Sequence, residues 1–324
     1  MSTAAFFAPL PDSLRRLLSP GETLLNPTRA VYANRDTDLS SIRLVGFDMD
    51  YTLAIYRKLP MEQLQYDLTL ERLIERHGYP TSIRALPYDP GFIVRGLTVD
   101  KRNGHLLKID THGSVSVCFR GRQRIDDESL KKLYRNAKIR LQSATFASVD
   151  TLFALPEACL YANLVDYFLQ QHDQGESTAP ITLKDHHETA NLGPIDTWRL
   201  FDDVRTAIDD IHRDGTLKSI IMASPGDYIE SDDGLALALH KLRSAGKRLF
   251  VLTNSYWAYT QCVMSYLLDG KLREYASWRQ YFDIVIVGGK KPRFFTEREP
   301  FLELDIEGGL PDATDTCTQS WIFK

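Results

Sequence analysis

The sequence predicts an α/β fold built on a parallel sheet, and three features carry that prediction. Ile42-Arg43-Leu44-Val45-Gly46-Phe47-Asp48 is a short, mostly apolar run of the kind that forms a central strand. After residue 219, strand-like runs alternate with helical patterns, as βα units do. Between these two regions, residues 61–218 mix helical and meander patterns and read as an insertion. The expected core is therefore residues 1–60 and 219–324, with an inserted α+β region at 61–218.

Residues 1–40 are rich in Pro, Ser and Asn and show weak periodicity. Met61 to His77 places Leu64, Leu68, Leu70, Leu73 and Ile74 at helical spacing, with Gly78 as a stop signal. Residues 92–119 read as a β-meander, with turns at Asn103-Gly104 and His112-Gly113. Pro156 to Gln170 is a predicted helix with proline in its first turn. His172 to Pro180 is polar and reads as a loop. Further helices are expected at Asp202 to His212, Asp232 to Ala245 and Ser255 to Leu268. Strands are expected at Arg248 to Leu252 and Phe282 to Val287.

The composition, 43% hydrophobic and 25% charged over 324 residues, is that of a globular protein. A net charge of -4 gives no basic footprint, so nucleic acid is a poor partner. Cys118, Cys159, Cys262 and Cys317 form no C-x-x-C pair, which favours a reducing compartment over a disulfide framework or zinc site. No run approaches the roughly 20 apolar residues that span a bilayer. A cytoplasmic protein with no membrane partner is expected.

Three segments carry chemistry. Asp48 and Asp50 follow the first strand, at the carboxyl end where open α/β sheets bind ligands. Such a pair can divide labour, one carboxylate attacking and the other moving a proton; a bare D-x-D can equally be a solvated turn. Leu252-Thr253-Asn254-Ser255 ends a strand and opens a helix, which makes either a phosphate cradle or a plain cap. Lys290-Lys291-Pro292-Arg293-Phe294-Phe295 follows the next strand and offers an ammonium for a carboxylate and phosphate, or two solvated lysines. On the segment Val204 to His212, Arg205, Asp209 and His212 share one helical face, where Arg205 and Asp209 can also be an ordinary surface ion pair.

Together, Gly46-Phe47-Asp48-Met49-Asp50-Tyr51-Thr52-Leu53-Ala54 and these later segments resemble the haloacid-dehalogenase superfamily in its cytosolic purine 5′-nucleotidase branch. The resemblance covers about residues 40–305. It implies a Rossmann-like parallel sheet with an inserted α+β cap. It implies hydrolysis of purine nucleoside 5′-monophosphates through an aspartyl-phosphate on Asp48, with Asp50 as acid and base. Mg2+ is the implied cofactor, held by Asp48 and Asp50, its hard oxygen ligands suiting that ion. Thr253 takes the phosphate-binding hydroxyl role and Lys291 the ammonium role, with Asn254 and Ser255 in support. Arg205 and Asp209 would meet the base edge, His212 and Phe153 would stack on its two faces, and Lys218 would approach the phosphate.

The sequence departs from the family in three places. Ala154 stands where asparagine is common, which removes one polar contact to the base. Gly288-Gly289 is unusual and is expected to loosen the lysine loop. The family's later Gly-Asp-His-x-x-Gly-Asp string is absent; Asp312 and Asp315 lie in a polar tail without a preceding apolar strand. The C-terminal part of the core is therefore expected to be missing: either the chain is truncated before that motif, or another chain, as in a homo-oligomer, supplies the strand that covers the edge of Ile42–Asp48. Two alternatives follow: a nucleotide-binding remnant without turnover, and a phosphatase of another small phosphomonoester. His186-His187, beside Asp185 and Glu188, reads better as a solvated face than as a metal site.

Overall fold

The computed structural model describes residues 38–135, 139, 141, 143–173, 195–298, 300–304 and 319–323. The chain divides into two compact units, Met1–Arg43 and Leu44–Lys324. Of the first, residues 38–43 are described; there the Ser40 amide and hydroxyl donate to the Asp38 carboxylate at 2.8 and 2.7 Å.

In the second unit the strands are β1 (Leu44–Phe47), β2 (Leu97–Asp100), β3 (His105–Ile109), β4 (Val115–Arg120), β5 (Gln123–Arg124), β6 (Phe146–Val149), β7 (Arg248–Leu252), β8 (Ile284–Val287), β9 (Phe301–Glu303) and β10 (Gln319–Phe323). The helices are α1 (Lys58–His77), α2 (Asp127–Tyr134), α3 (Ala154–Asp173), α4 (Thr197–Arg213), α5 (Thr216–Ala223), α6 (Pro225–Tyr228), α7 (Asp233–Ser244) and α8 (Trp257–Leu268). None of the described helices is long and apolar enough to cross a membrane.

One sheet has the order β1-β7-β8-β10-β9. β1, β7 and β8 run parallel, as the βα alternation predicts. β10 runs antiparallel to β8 and parallel to β9, so the sheet is mixed rather than wholly parallel. The strand at Gln319–Phe323 was hidden in sequence because a five-residue run after a polar tail carries little periodicity. Among the described residues β1 is a terminal strand of this order, and Leu44 on it is 48% exposed. Gly46 faces Phe250 across the β1–β7 pair; a Cβ there would lie 2.1 Å from the Phe250 ring, so any other residue would have to displace that ring.

The second sheet is antiparallel, in the order β5-β4-β3-β2-β6. Its hairpins turn at the expected Asn103-Gly104 and His112-Gly113 positions. Helices α1, α3 and α4 pack together and share a core with this sheet. Along α4, Leu200, Phe201, Val204, Ala207, Ile208 and Ile211 form a buried stripe. Each buried Leu, Ile, Val or Phe of the stripe contributes about 1.5–3 kcal/mol. The Asp196 carboxylate accepts from the Arg199 amide at 3.0 Å, which starts α4 at Thr197 rather than near Asp202. The αL residue Gly215 then ends the α4 turn and opens α5, a helix that the sequence pattern does not separate from α4. α2, capped by Asp126, was also unforeseen. His172 and Asp173 continue α3 instead of beginning a loop.

Candidate functional site

The carboxyl ends of β1, β7 and β8 are adjacent, and each releases one of the three chemical segments. Asp48 is the first residue beyond β1. Its Oδ1 accepts from the Met49 amide at 2.7 Å and lies 2.6 Å from Lys291 Nζ. Its Oδ2 makes no hydrogen bond among the described residues, and the side chain is 42% exposed. Beyond it the chain folds tightly: the amides of Thr52, Leu53 and Ala54 all donate to the Met49 carbonyl. The turn puts Tyr51 at φ 56, a left-handed conformation that costs a non-glycine residue about 1–2 kcal/mol. Contact of its ring with Phe153 (centroids 4.9 Å) and Tyr56 (5.0 Å) helps hold it there.

Asp50 is clamped on both oxygens. Tyr56 donates its hydroxyl to Oδ1 at 2.6 Å, and the Tyr56 and Tyr259 hydroxyls are 2.7 Å apart. Ser255 Oγ donates to Oδ2 at 2.9 Å, and Lys218 Nζ reaches Ser255 Oγ at 3.4 Å. Burial raises the Tyr56 hydroxyl well above its ordinary range, with Asp50 beside it adding to the shift. Tyr56 therefore stays a donor. Burial also lowers the Lys218 ammonium, opposed by the Asp50 charge.

The β7 and β8 exits are tied to each other. Asn254 and Lys291 exchange two hydrogen bonds: the Lys291 amide donates to Asn254 Oδ1 at 2.6 Å, and Asn254 Nδ2 donates to the Lys291 carbonyl at 3.2 Å. Lys291 Nζ also donates to the Leu252 carbonyl at 2.9 Å. Gly288 and Gly289 amides donate to the carbonyls of Ser255 and Thr253. A Cβ on Gly289 would meet Leu252 Cδ1 at 2.8 Å and the Thr253 carbonyl at 3.1 Å. The glycine pair thus permits a close, pinned approach; looseness is not its structural role.

A cavity of about 310 Å3 opens beside Asp50. Eight of the residues singled out in sequence line it: Asp50, Phe153, Arg205, Asp209, His212, Lys218, Asn254 and Ser255. Asp48 and Lys291 stand next to it through Asp50 and Asn254. Thr253 does not line it; its side chain is fully buried and its Oγ1 accepts from the Ser255 amide at 3.0 Å. Ala154 lines the cavity and offers no polar group.

At the far end of the cavity α3 faces α4. Phe153 and His212 meet edge to face, with centroids 5.8 Å apart and planes at 89°. They touch each other, so in this arrangement they do not form two parallel plates for a base. His212 Nε2 is 3.2 Å from Gln65 Nε2, and burial, aided by Lys218, pushes the ring down to about 4. The neutral ring accepts there from the amide. Arg205 does not pair with Asp209 at i+4. Its Nε instead lies 2.6 Å from Oε1 of Glu157, which is 4% exposed. Burial pushes the Glu157 carboxyl up to about 7 against the pull of Arg205. Glu157, Tyr56 and Tyr259 line the cavity and were not singled out in sequence. Tyr56 lies two residues past the Gly46–Ala54 motif and Glu157 four past Phe153, but only packing shows what they touch.

Among the described residues, no three His, Cys, Asp or Glu side chains converge as a metal cage. Asp48 and Asp50 are oxygen donors of the kind a hard cation takes, and Mg2+ commonly uses one or two carboxylates with waters and substrate phosphate. The His186-His187 stretch and Asp312 and Asp315 lie outside the described residues.

The 5′ nucleotidase family model matches residues 31–323. A 5′-nucleotidase domain-containing protein 2 of Homo sapiens is 34% identical over 316 residues, covering 94% of this chain and 55% of the relative. Its Rattus norvegicus counterpart is 33% identical over 316 residues, covering 92% and 52%. A 5′-nucleotidase domain-containing protein of Dictyostelium discoideum is 33% identical over 276 residues, covering 84% and 43%. The chain thus spans about half the length of the curated relatives it matches. With its family model matched over most of its length, the chain belongs to the 5′-nucleotidase family.

Proposed function

We propose that the protein hydrolyses nucleoside 5′-monophosphates, purine nucleotides first among them, with Asp48 as the nucleophile. One observation carries the reading: Asp48 keeps Oδ2 unpartnered while Lys291 and the Met49 amide hold Oδ1, beside a clamped Asp50 and a cavity with an aromatic wall. In this reading Oδ2 attacks the phosphorus, the bond from phosphorus to O5′ breaks, and Asp50 gives its proton to the departing alkoxide. Water then attacks the aspartyl-phosphate, Asp50 takes the water's proton, and phosphate leaves. The Ser255 hydroxyl can rotate between the Asp50 carboxylate and a phosphate oxygen as the proton moves. Lys291 balances the charge on Asp48 and on the phosphoryl group.

Mg2+ is the cofactor we propose, held by Asp48 and Asp50; when bound it would neutralise phosphate charge. Arg205 and Asp209 meet the base edge, and Phe153 and His212 supply ring surface once the substrate separates them. Lys218 and Asn254 serve the phosphate side, with Thr253 bracing the turn beneath it. The free Cys118, Cys159 and Cys262 accord with the reducing, cytoplasmic setting proposed here.

The test is phosphate release from inosine and guanosine monophosphates, with and without Mg2+. Release that depends on Mg2+ and falls at least roughly 10³-fold in Asp48→Asn is expected. A well-folded protein that binds these nucleotides and releases nothing would favour a binding remnant. Release from sugar phosphates alone would move the substrate class.

A further inference from the structure

We infer that Glu157 is a positioning residue for base recognition, holding Arg205 by Nε so that its terminal nitrogens meet the ligand. The inference rests on the nucleotide reading above.

Glu157 lies in the first turn of α3, which begins directly after Phe153, and both residues line the cavity. Its carboxylate is 4% exposed and, among the described residues, its one ion pair is with Arg205, at 2.6 Å between Oε1 and Nε. Both of those atoms are sealed from solvent without a well-angled hydrogen bond, so the contact is an ion pair. The Arg205 side chain as a whole is 42% exposed, so what remains open is not its Nε. The Phe201 ring lies 5.5 Å from the guanidinium carbon and limits how the fork can turn.

A buried carboxylate is expensive to keep, and a single half-exposed arginine is a poor reason to keep it for stability. It is a good reason for recognition. A guanidinium held at Nε presents its two terminal nitrogens as a fixed fork, matched to two neighbouring acceptors such as O6 and N7 of a purine. Fixing the fork in advance removes part of the ordering cost that an unrestrained arginine would incur on binding. Asp209 does not do this work, because Arg205 turns to Glu157 instead.

The experiment uses the full chain in an Asp48→Asn background, so that binding is read without turnover. Calorimetry gives the Kd of inosine 5′-monophosphate and of ribose 5-phosphate, which lacks the base. Glu157→Met is expected to weaken the nucleotide roughly tenfold and leave the sugar phosphate within about twofold. Glu157→Gln, which keeps an acceptor, is expected to retain part of the affinity. Adding Glu157→Met to Arg205→Met is expected to cost nothing further. Unchanged nucleotide affinity overturns the inference. So does an equal loss for both ligands, or a loss that persists without Arg205. If the Asp48→Asn protein with Glu157 intact binds no nucleotide, the nucleotide reading falls, and this inference with it.

Discussion

The two ends of the cavity are built by different means. At the phosphate end, Asp48, Asn254 and Lys291 lie on loops leaving three neighbouring parallel strands, tied by hydrogen bonds that involve main-chain atoms. At the base end, Phe153, Glu157, Arg205, Asp209 and His212 sit at the start of α3 and along α4, and meet through side chains alone. A backbone-tied site tolerates little change in shape, whereas a site between two helices can open and repack. The edge-on contact of Phe153 with His212 belongs to that second kind. A planar ligand has to part these rings, while at the phosphate end Asp48 is already held at Oδ1.

The contrast can be broken most sharply at Lys291. Lys291→Met removes the cation beside Asp48 and is expected to lower kcat by roughly 10²–10³, for nucleotide and ribose 5-phosphate alike. Steady-state kinetics on both substrates checks it; a loss confined to the nucleotide would mean that the two ends are not separate.

The base end can be probed through pH. Glu157 has an ordinary value of 4.5 and is pushed up to about 7 by burial, so it takes up a proton on folding in that window. The stability it contributes is full below about pH 4.5 and is lost as pH rises through about 7. His212 has an ordinary value of 6.5 and is pushed down to about 4, so its contribution is full above 6.5 and lost as pH falls through about 4. The two slopes oppose each other between. In Glu157→Gln the gain relative to the parent is expected to grow by about 2–3 kcal/mol from pH 4.5 to 7. Denaturant unfolding across that range reads it, and a pH-independent difference would contradict it.

The smallest effect expected is that of Phe153→Ala. Loss of a ring contact to the base is worth about 1–3 kcal/mol at most, so a KM for nucleotide about tenfold higher is predicted, with ribose 5-phosphate unaffected. Equal effects on both substrates would instead assign Phe153 to bracing Tyr51, whose strained backbone its ring supports.

What was legible in sequence follows the same division. Asp48 and Asp50, the Thr253–Ser255 turn and Lys291 could be read because each sits where a strand ends, and strand ends announce themselves as apolar runs that stop. The shared face of Arg205, Asp209 and His212 was legible from helical period. The partner of Arg205 was not: period suggests Asp209, and Glu157 is chosen only once α3 packs on α4. Tyr56 was invisible for the same reason, since its hydroxyl reaches Asp50 and then Tyr259 from a distant helix. The resemblance implies that Thr253 faces the ligand, yet its side chain is fully buried and its hydroxyl oxygen accepts from the Ser255 amide. The antiparallel β10 was missed because five residues carry too little pattern to outweigh the polar stretch before them.

The central claim is that Asp48 attacks phosphorus. It is tested most directly by quenching the working protein in acid during turnover of inosine monophosphate and reducing it with borohydride, which converts an aspartyl-phosphate to homoserine. Mass spectrometry of the tryptic peptides is then expected to show homoserine at position 48 and at no other aspartate, with none in Asp48→Asn. Phosphate release that continues while position 48 remains aspartate throughout, or that survives Asp48→Asn, would contradict the account.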